Sequence, residues 1–435
     1  MKTIQPVRAP LGSIGSDAAR KKLLDCIAAQ AGDVAQIAQG LIRIPSENPA
    51  GDTRPIAAHA LELLRRIDGV EAECVVGREP FANVIARVRG AREGRRLVLN
   101  GHLDTFPIGD RSAWTVDPLG GAIIDGRLYG RGAADMKGGV AASIAAFRLL
   151  AEMRATWAGE LVLTLAGDEE TMGCWGSAYL LETIPHASGD AVVCGDAGSP
   201  KVIRFGEKGM LWLELTATGR PAHGAHVHLG RNALDLLMEA VRRVQSMASL
   251  PVETPAAIRR AIERARPVSE PLAGAGETDV LTSITVNLGI LQGGTSPNLV
   301  PSTARAALDI RVPLGASAAE LAGRITELLA PLEGVQARIL VQYEPTASDP
   351  EGELFRLLVK NGAEAMGVAP VTNMRVGASD MRLFRARGIP SAVFGCAPHN
   401  MGGPDECVTL GDLRTVFQVH TLTAFDFLVA AGDPH

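Results

Sequence analysis

Four short stretches of the chain end an apolar run in residues that bind metal ions or move protons. In Leu97–Thr105 (LVLNGHLDT) an apolar strand stops at Gly101, and His102 and Asp104 fall on the same side because strand side chains alternate with period two. A neutral imidazole can ligate a metal, and a carboxylate two residues on can orient it; the plainer reading is a polar pair at a strand end. In Tyr129–Gly139 (YGRGAADMKGG), Asp135 stands among glycines just ahead of a helical pattern, as a ligand on a tight turn or as a helix cap. Leu161–Met172 (LVLTLAGDEETM) runs from an apolar strand straight into Asp168, Glu169 and Glu170. Three successive carboxylates normally lie in water, and at the end of a buried strand a cation is what makes them tolerable. One can then ligate metal while its neighbour stays free as a general base. Ala191–Gly198 (AVVCGDAG) ends a fourth apolar strand in Asp196. Each stretch alone is a weak signal. Together they deliver histidine and carboxylate to one crevice at the C-terminal ends of strands, where open α/β sheets bind ligands. A His-plus-carboxylate set suits zinc, with manganese and cobalt as related options.

The elements needed to hold these residues are legible as an alternation of strands and helices. Apolar helical patterns run over Leu23–Ile44, Pro55–Ile67 and Gly138–Met153, and buried-strand patterns over Ala82–Val88, Arg96–Asn100, Glu160–Ala166 and Ala191–Cys194. That alternation predicts an α/β fold with a mixed or parallel sheet covered on both faces. After Lys201 the rhythm changes. Met210–Thr218, Ser283–Leu291, Ala304–Val312 and Ala337–Tyr343 read as strands, and Asn232–Met247 and Ala318–Leu332 as helices. The order β-α-β-β-α-β is that of a small ferredoxin-like domain. We therefore expect a catalytic domain over residues 1–204 and 344–435, with residues 205–343 inserted as a second domain. Pro251–Thr278 is an additional helix and loop inside the insert, and Leu410–Val429 a closing helix.

The bulk properties exclude several classes. At 435 residues, two domains are the natural expectation. A net charge of −5 and the lack of a basic run argue against nucleic acid as a partner. No apolar run approaches the length of a membrane span, and the N-terminal MKTIQPVRAPLGSIGSDAARKK has no apolar core of a secretory signal. The six cysteines are scattered and form no framework, as free thiols in a reducing compartment would, so a cytoplasmic location is expected.

GHLDT, GRGAADMKGG, DEE and GDAG, in this order and spacing, resemble the M20 family of metallopeptidases, and the resemblance covers nearly the whole chain. It implies a mixed-sheet catalytic domain with two divalent metal ions, zinc foremost, and an inserted domain that acts as lid and dimerisation surface. His102 and Asp196 would bind one metal, Glu170 and a C-terminal histidine the other, and Asp135 would bridge them. Glu169 would be the general base and Asp104 would orient His102. The implied reaction is hydrolysis of an amide C–N bond in a small N-acyl amino acid or dipeptide-like substrate bearing a carboxylate.

The same resemblance extends to the insert. ATGRPAHGAHVHLGRNA puts His223 on the family histidine that reaches the partner subunit's site and stabilises an oxyanion, so a homodimer is implied. His226 and His228 are additional, and Val227 stands where proline is usual. GGTSPNLVPSTARAALDIR places Asn298 toward the scissile group and Arg311 toward a substrate carboxylate, although an ion pair along a strand is the plainer reading of Arg311. GASDMRLF, around Ser379 and Asp380, matches another family segment and carries no assigned role. The chain departs from the family in Pro398–Val408 (PHNMGGPDECV). The usual H-x-P-[DN]-E pattern has Gly402 at its histidine, so His399 is the expected last ligand, with His420 a weaker substitute. That departure keeps open a C–N hydrolase acting on a carbamoyl or aromatic amine compound. A non-catalytic binding protein of the same fold is the remaining alternative, disfavoured by the presence of Glu169 and Asp135. His59, His186 and His435 carry no expected function, and Cys194 and Cys396 read as core filler.

Overall fold

The computed structural model describes residues 17–49 and 51–430; His435 and the first sixteen residues of the N-terminal stretch lie outside them. The described residues divide into two compact units, residues 17–205, 351–371 and 379–430 in one and residues 206–350 and 372–378 in the other. The first crossing falls a residue later than expected and the return about seven residues later, while residues 372–378 go with the second unit.

The first unit is built on a mixed sheet. Seven of the nine described strands of this sheet lie in the order Glu71–Arg78, Phe81–Arg89, Glu160–Ala166, Arg96–His102, Ala191–Cys194, Ser391–Val393 and Val202–Glu207. The four from Glu160–Ala166 to Ser391–Val393 are mutually parallel, so their C-terminal ends open on one edge. Parallel strands buried on both faces must be continuously apolar. Leu97, Val98, Leu99, Leu161, Val162, Leu163, Val192 and Val193 are all fully buried. The helix Gly138–Glu152 is buried along almost its whole length, because Asp33–Ile42 and the closing helix Leu410–Ala430 pack against it. The single helical pattern expected over Leu23–Ile44 is two helices, Asp17–Gln30 and Asp33–Ile42, parted by a turn at Ala31–Gly32.

Two parts of this unit were not anticipated. Glu71–Arg78 is an edge strand whose residues are all at least partly exposed, so it carries little apolar signal. A separate small sheet joins Ile123–Ile124, Arg127–Tyr129 and Cys407–Thr409, tying the C-terminal region to the loop that leads into Asp135.

The second unit contains a four-stranded antiparallel sheet in the order Thr285–Gly293, Thr303–Val312, Gly209–Thr218, Val335–Tyr343. Numbered along the chain this is 2-3-1-4, the ferredoxin-like arrangement that the element order implies. The helices Ala233–Gln245 and Ala318–Leu329 bury Leu237, Val241, Leu321 and Ile325 against one face of it. The additional segment forms the helices Ala256–Ala273 and Glu277–Thr282.

Candidate metal centre

Three strand ends and one helix entrance meet at the open edge of the parallel strands. His102 is the last residue of Arg96–His102, in register with Ala166 of the neighbouring strand, and Asp168 to Glu170 follow that strand directly. Asp135 lies in the kinked turn ahead of Gly138–Glu152, and Asp196 follows Ala191–Cys194. One glycine contact makes this convergence feasible. A Cβ on Gly139 would lie 1.9 Å from the Gly195 carbonyl oxygen, so only a bare backbone lets the helix start approach the strand end that carries Asp196.

The ligating atoms of His102, Asp135 and Glu170 all lie within 4.8 Å of one another, and among the described residues they form the one such group of three. His102 Nε2 is 3.1 Å from Asp135 Oδ1, while Nδ1 donates to the backbone oxygen of Asp104 at 2.9 Å. That second contact fixes the tautomer that leaves Nε2 free to ligate. The Asp104 carboxylate, expected to orient His102, is 3.5 Å from Nδ1 and is chiefly engaged elsewhere. It accepts from the amides of Glu169 at 3.1 Å and Glu170 at 3.0 Å, because the chain turns off the strand after His102 and aims the side chain at the neighbouring turn.

The electrostatics call for a cation. Burial, then the charges of Asp380, Asp196 and Asp135, push the Glu169 carboxyl well above its usual range against the opposing pull of His102. Burial and Asp135 likewise push Glu170 up to about 10. Burial works against the His102 imidazolium, but its bonds with Asp104 and Asp135 outweigh it and the ring's proton affinity is raised. Glu170 Oε1 is buried without a hydrogen-bond partner. Carboxylates crowded in this way either hold protons or hold a metal. The His-carboxylate donor set and the unpartnered oxygen fit a divalent ion.

A buried carboxylate missing from the sequence reading completes the support. Glu406, 1% exposed, accepts from the amides of Ala134 at 2.9 Å and Asp135 at 3.2 Å, and pairs with Arg131 at 2.5 Å. Arg131 also donates to the Gly402 oxygen and lies over the Trp114 ring. Glu406 thus fixes the turn that presents Asp135. The available signal was the closing glutamate of the H-x-P-[DN]-E pattern.

His399 lies outside this group of three. It forms a two-way backbone hydrogen-bonded pair with Cys407, so both side chains lie on the same face of that ladder. Glu406, one residue earlier, reaches Asp135 from the opposite face. His399 instead lines a cavity of about 530 Å³ with Thr115, Arg127, Tyr129, Asn400 and Asp405. Asp196, 4% exposed, also lies outside the group of three. His420 is not a substitute ligand. It is fully buried, with its ring between the Phe394 oxygen and Ser143 Oγ, and burial lowers its pKa to about 4. Burial raises the Cys194 and Cys396 thiols well above their usual range, as befits core residues.

The remaining expected residues lie in the second unit. His223 and Asn298 are brought together there: His223 bridges to Leu299, and the Asn298 oxygen accepts from Gly224 at 2.7 Å. Arg311 makes a two-pronged contact with Asp309 of its own strand, Nε to Oδ1 at 2.8 Å and Nη2 to Oδ2 at 2.9 Å. The rings of His223, His226 and His228 are about 6 Å apart in succession and form no ligand group.

Comparison with known proteins decides the family. Residues 98–426 match peptidase family M20/M25/M40. The chain belongs to this family. A succinyl-diaminopimelate desuccinylase from Rhodospirillum centenum is 32% identical over 415 residues, covering 92% of this chain and 99% of that protein. One from Methylobacterium radiotolerans is 31% identical over 404 residues, covering 88% and 94%. Among solved structures, an M20 family metallo-carboxypeptidase from Sulfolobus solfataricus superposes with a TM-score of 0.76 at 20% identity, covering 90% of this chain and 98% of that one. A dinuclear metal-binding M20 peptidase from Bacillus subtilis superposes at 0.62 with 15% identity, covering 92% and 99%. This M20 chain is therefore an enzyme, a hydrolase of C–N bonds, and the reading of it as a non-catalytic binding protein falls.

Proposed function

We propose that this M20 enzyme hydrolyses the amide bond of a small N-acyl amino acid, with an N-succinyl group as the first acyl group to test. The observation that carries the reading is the buried grouping of His102, Asp135 and Glu170 beside Glu169. The desuccinylase relatives, matched over nearly their whole length, direct the choice of acyl group.

His102, Asp135, Glu170 and Asp196 would hold two divalent ions, zinc foremost. Metal ions held there supply Lewis-acid activation of water and of the scissile carbonyl. Around them the chain does the rest. Glu169, whose burial raises its proton affinity, takes a proton from the attacking water and delivers it to the leaving nitrogen. Asp104 keeps Glu169 and Glu170 in place through their amides, and Glu406 does the same for Asp135. His223 stabilises the oxygen on which charge develops, and Asn298 contacts the scissile group. Arg311 binds the substrate carboxylate, which requires it to exchange Asp309 for the ligand.

The inserted unit is proposed as lid and homodimer surface. Its two opposite edge strands leave Ile290 and Leu291, and Ile339 and Leu340, at least 40% exposed, and pairing of one such edge with a second copy would cover it. None of the six cysteines is bonded to another, which supports a cytoplasmic setting, and no described helix is long and apolar enough to cross a membrane. A carbamoyl or aryl amide is the second substrate reading, favoured by the departure at Pro398–Val408, where Gly402 stands at the usual histidine.

The test is a panel of N-acyl amino acids with carbamoyl and aryl amides added, run on the wild type and on Glu169→Gln. Cleavage of the N-succinyl members by the wild type alone supports the proposal. Cleavage restricted to the other amides would replace the substrate class.

A further inference from the structure

The segment Ser46–Asn48 is zipped onto the loop that carries Asp104. The Asn48 amide donates to the Thr105 oxygen at 2.8 Å, the Thr105 amide to the Ser46 oxygen at 3.0 Å, and Ser46 Oγ to the Leu103 oxygen at 2.7 Å. This brings the Asn48 side chain, 2% exposed, between two strand ends. Its Nδ2 donates to Asp104 Oδ2 at 2.9 Å, and it also reaches Thr171 Oγ1 at 3.2 Å and Asp168 Oδ1 at 3.4 Å.

Asp104 is completely buried, and among the described residues no lysine or arginine is bound to its carboxylate. It rests on neutral donors, the Glu169 and Glu170 amides and Asn48, apart from His102 at 3.5 Å. A buried carboxylate held by so few groups feels the loss of any one of them. Asp168 is in a similar position: Asn48, Thr171 Oγ1 and the Trp175 amide are its side-chain donors. A single –NH2 group therefore joins the turn after His102 to the turn that bears both glutamates.

We propose that Asn48 is a positioning residue for the metal centre: by tying Asp104 to Asp168 and Thr171, it sets where Glu169 and Glu170 stand relative to His102. Asn48 touches neither metal nor substrate and acts through Asp104. The proposal rests on the reading of His102, Asp135 and Glu170 as metal ligands. Loss of a group that orients ligands typically weakens metal binding about 10- to 100-fold.

The test titrates cobalt(II) into the chelator-treated full-length protein, followed by calorimetry and by the visible absorption of the bound ion. Asn48→Ala and Asn48→Ser are compared with the wild type and with Thr156→Val. That last variant deletes a buried hydrogen bond to the Met153 oxygen, remote from the strand ends. The expected result is cobalt binding weaker by about 10- to 100-fold in both Asn48 variants, with an altered spectrum and with kcat lowered more than KM is raised. Thr156→Val should bind like the wild type even where its melting temperature falls. Wild-type affinity and spectrum in either folded Asn48 variant would overturn the proposal. Equal weakening in Thr156→Val would also overturn it, since the effect would then be general loosening. A wild type that binds no cobalt would overturn the reading of the site itself, and is distinguishable from both.

Discussion

Glu169 and Glu170 are neighbours in one turn for which we propose different tasks, and substitution should separate them. Glu169→Gln keeps size and removes the base, so turnover should fall by roughly 10²- to 10⁴-fold, the scale of general base catalysis, with metal content unchanged. Metal analysis beside steady-state kinetics checks this. Glu406→Gln should act differently. It weakens the grip on the Asp135 turn and strands Arg131, so metal affinity should fall about 10- to 100-fold, measured by calorimetry. The candidate ligands His102, Asp135 and Glu170 were legible because each stands at the end of a local pattern, an apolar strand or a glycine turn. Glu406 was not, since its partner Ala134 is 272 residues away in sequence. The setting of His399 was hidden for a related reason. Which face it occupies depends on its register with Cys407, and cross-strand register leaves no mark in a short loop.

At the scale of elements, the entrance of the helix Gly138–Glu152 controls how closely the ligand-bearing ends converge. Gly139→Ala places a Cβ against the Gly195 backbone, which cannot swing aside as a side chain could. We expect a cost on the order of 1–3 kcal/mol from overpacking, seen as a lower melting temperature, together with weaker metal binding as the Asp196 strand end is pushed away. The closing helix Leu410–Ala430 yields a pH prediction through His420. Its folded pKa of about 4 lies below the ordinary histidine value of about 6.5. Below pH 6.5 the unfolded chain takes up a proton that the folded chain refuses. Stability from this residue is therefore intact above pH 6.5 and is lost as pH falls toward 4, by about 3 kcal/mol in all. His420→Gln should flatten that part of the stability curve in denaturant titrations at pH 7 and pH 4.5. The long strands and helices followed from their periodicity. The strands Ile123–Ile124, Arg127–Tyr129 and Cys407–Thr409 are too short to show any period, although they hold the support for Asp135.

At the scale of the whole molecule, the order β-α-β-β-α-β made the insert legible as a compact sheet-and-helix unit, because each element there is long enough to show its period. The return to the first unit, expected at 344, falls at 351 in the contact division, and no composition change marks it. If the insert pairs two copies, the protein should sediment as a dimer. Ile339→Lys with Leu340→Lys on the outer strand should then yield monomers of lower turnover, because His223 would no longer reach a partner's site. The central claim is that C–N bond hydrolysis depends on metal held by His102, Asp135 and Glu170. The most direct measurement follows amine release from N-succinyl amino acids before chelation, after it, and after zinc, cobalt or manganese is restored. The account predicts loss of cleavage on chelation and recovery with added metal, and no recovery in His102→Ala. Cleavage that survives complete metal removal, or full recovery in His102→Ala, would contradict it.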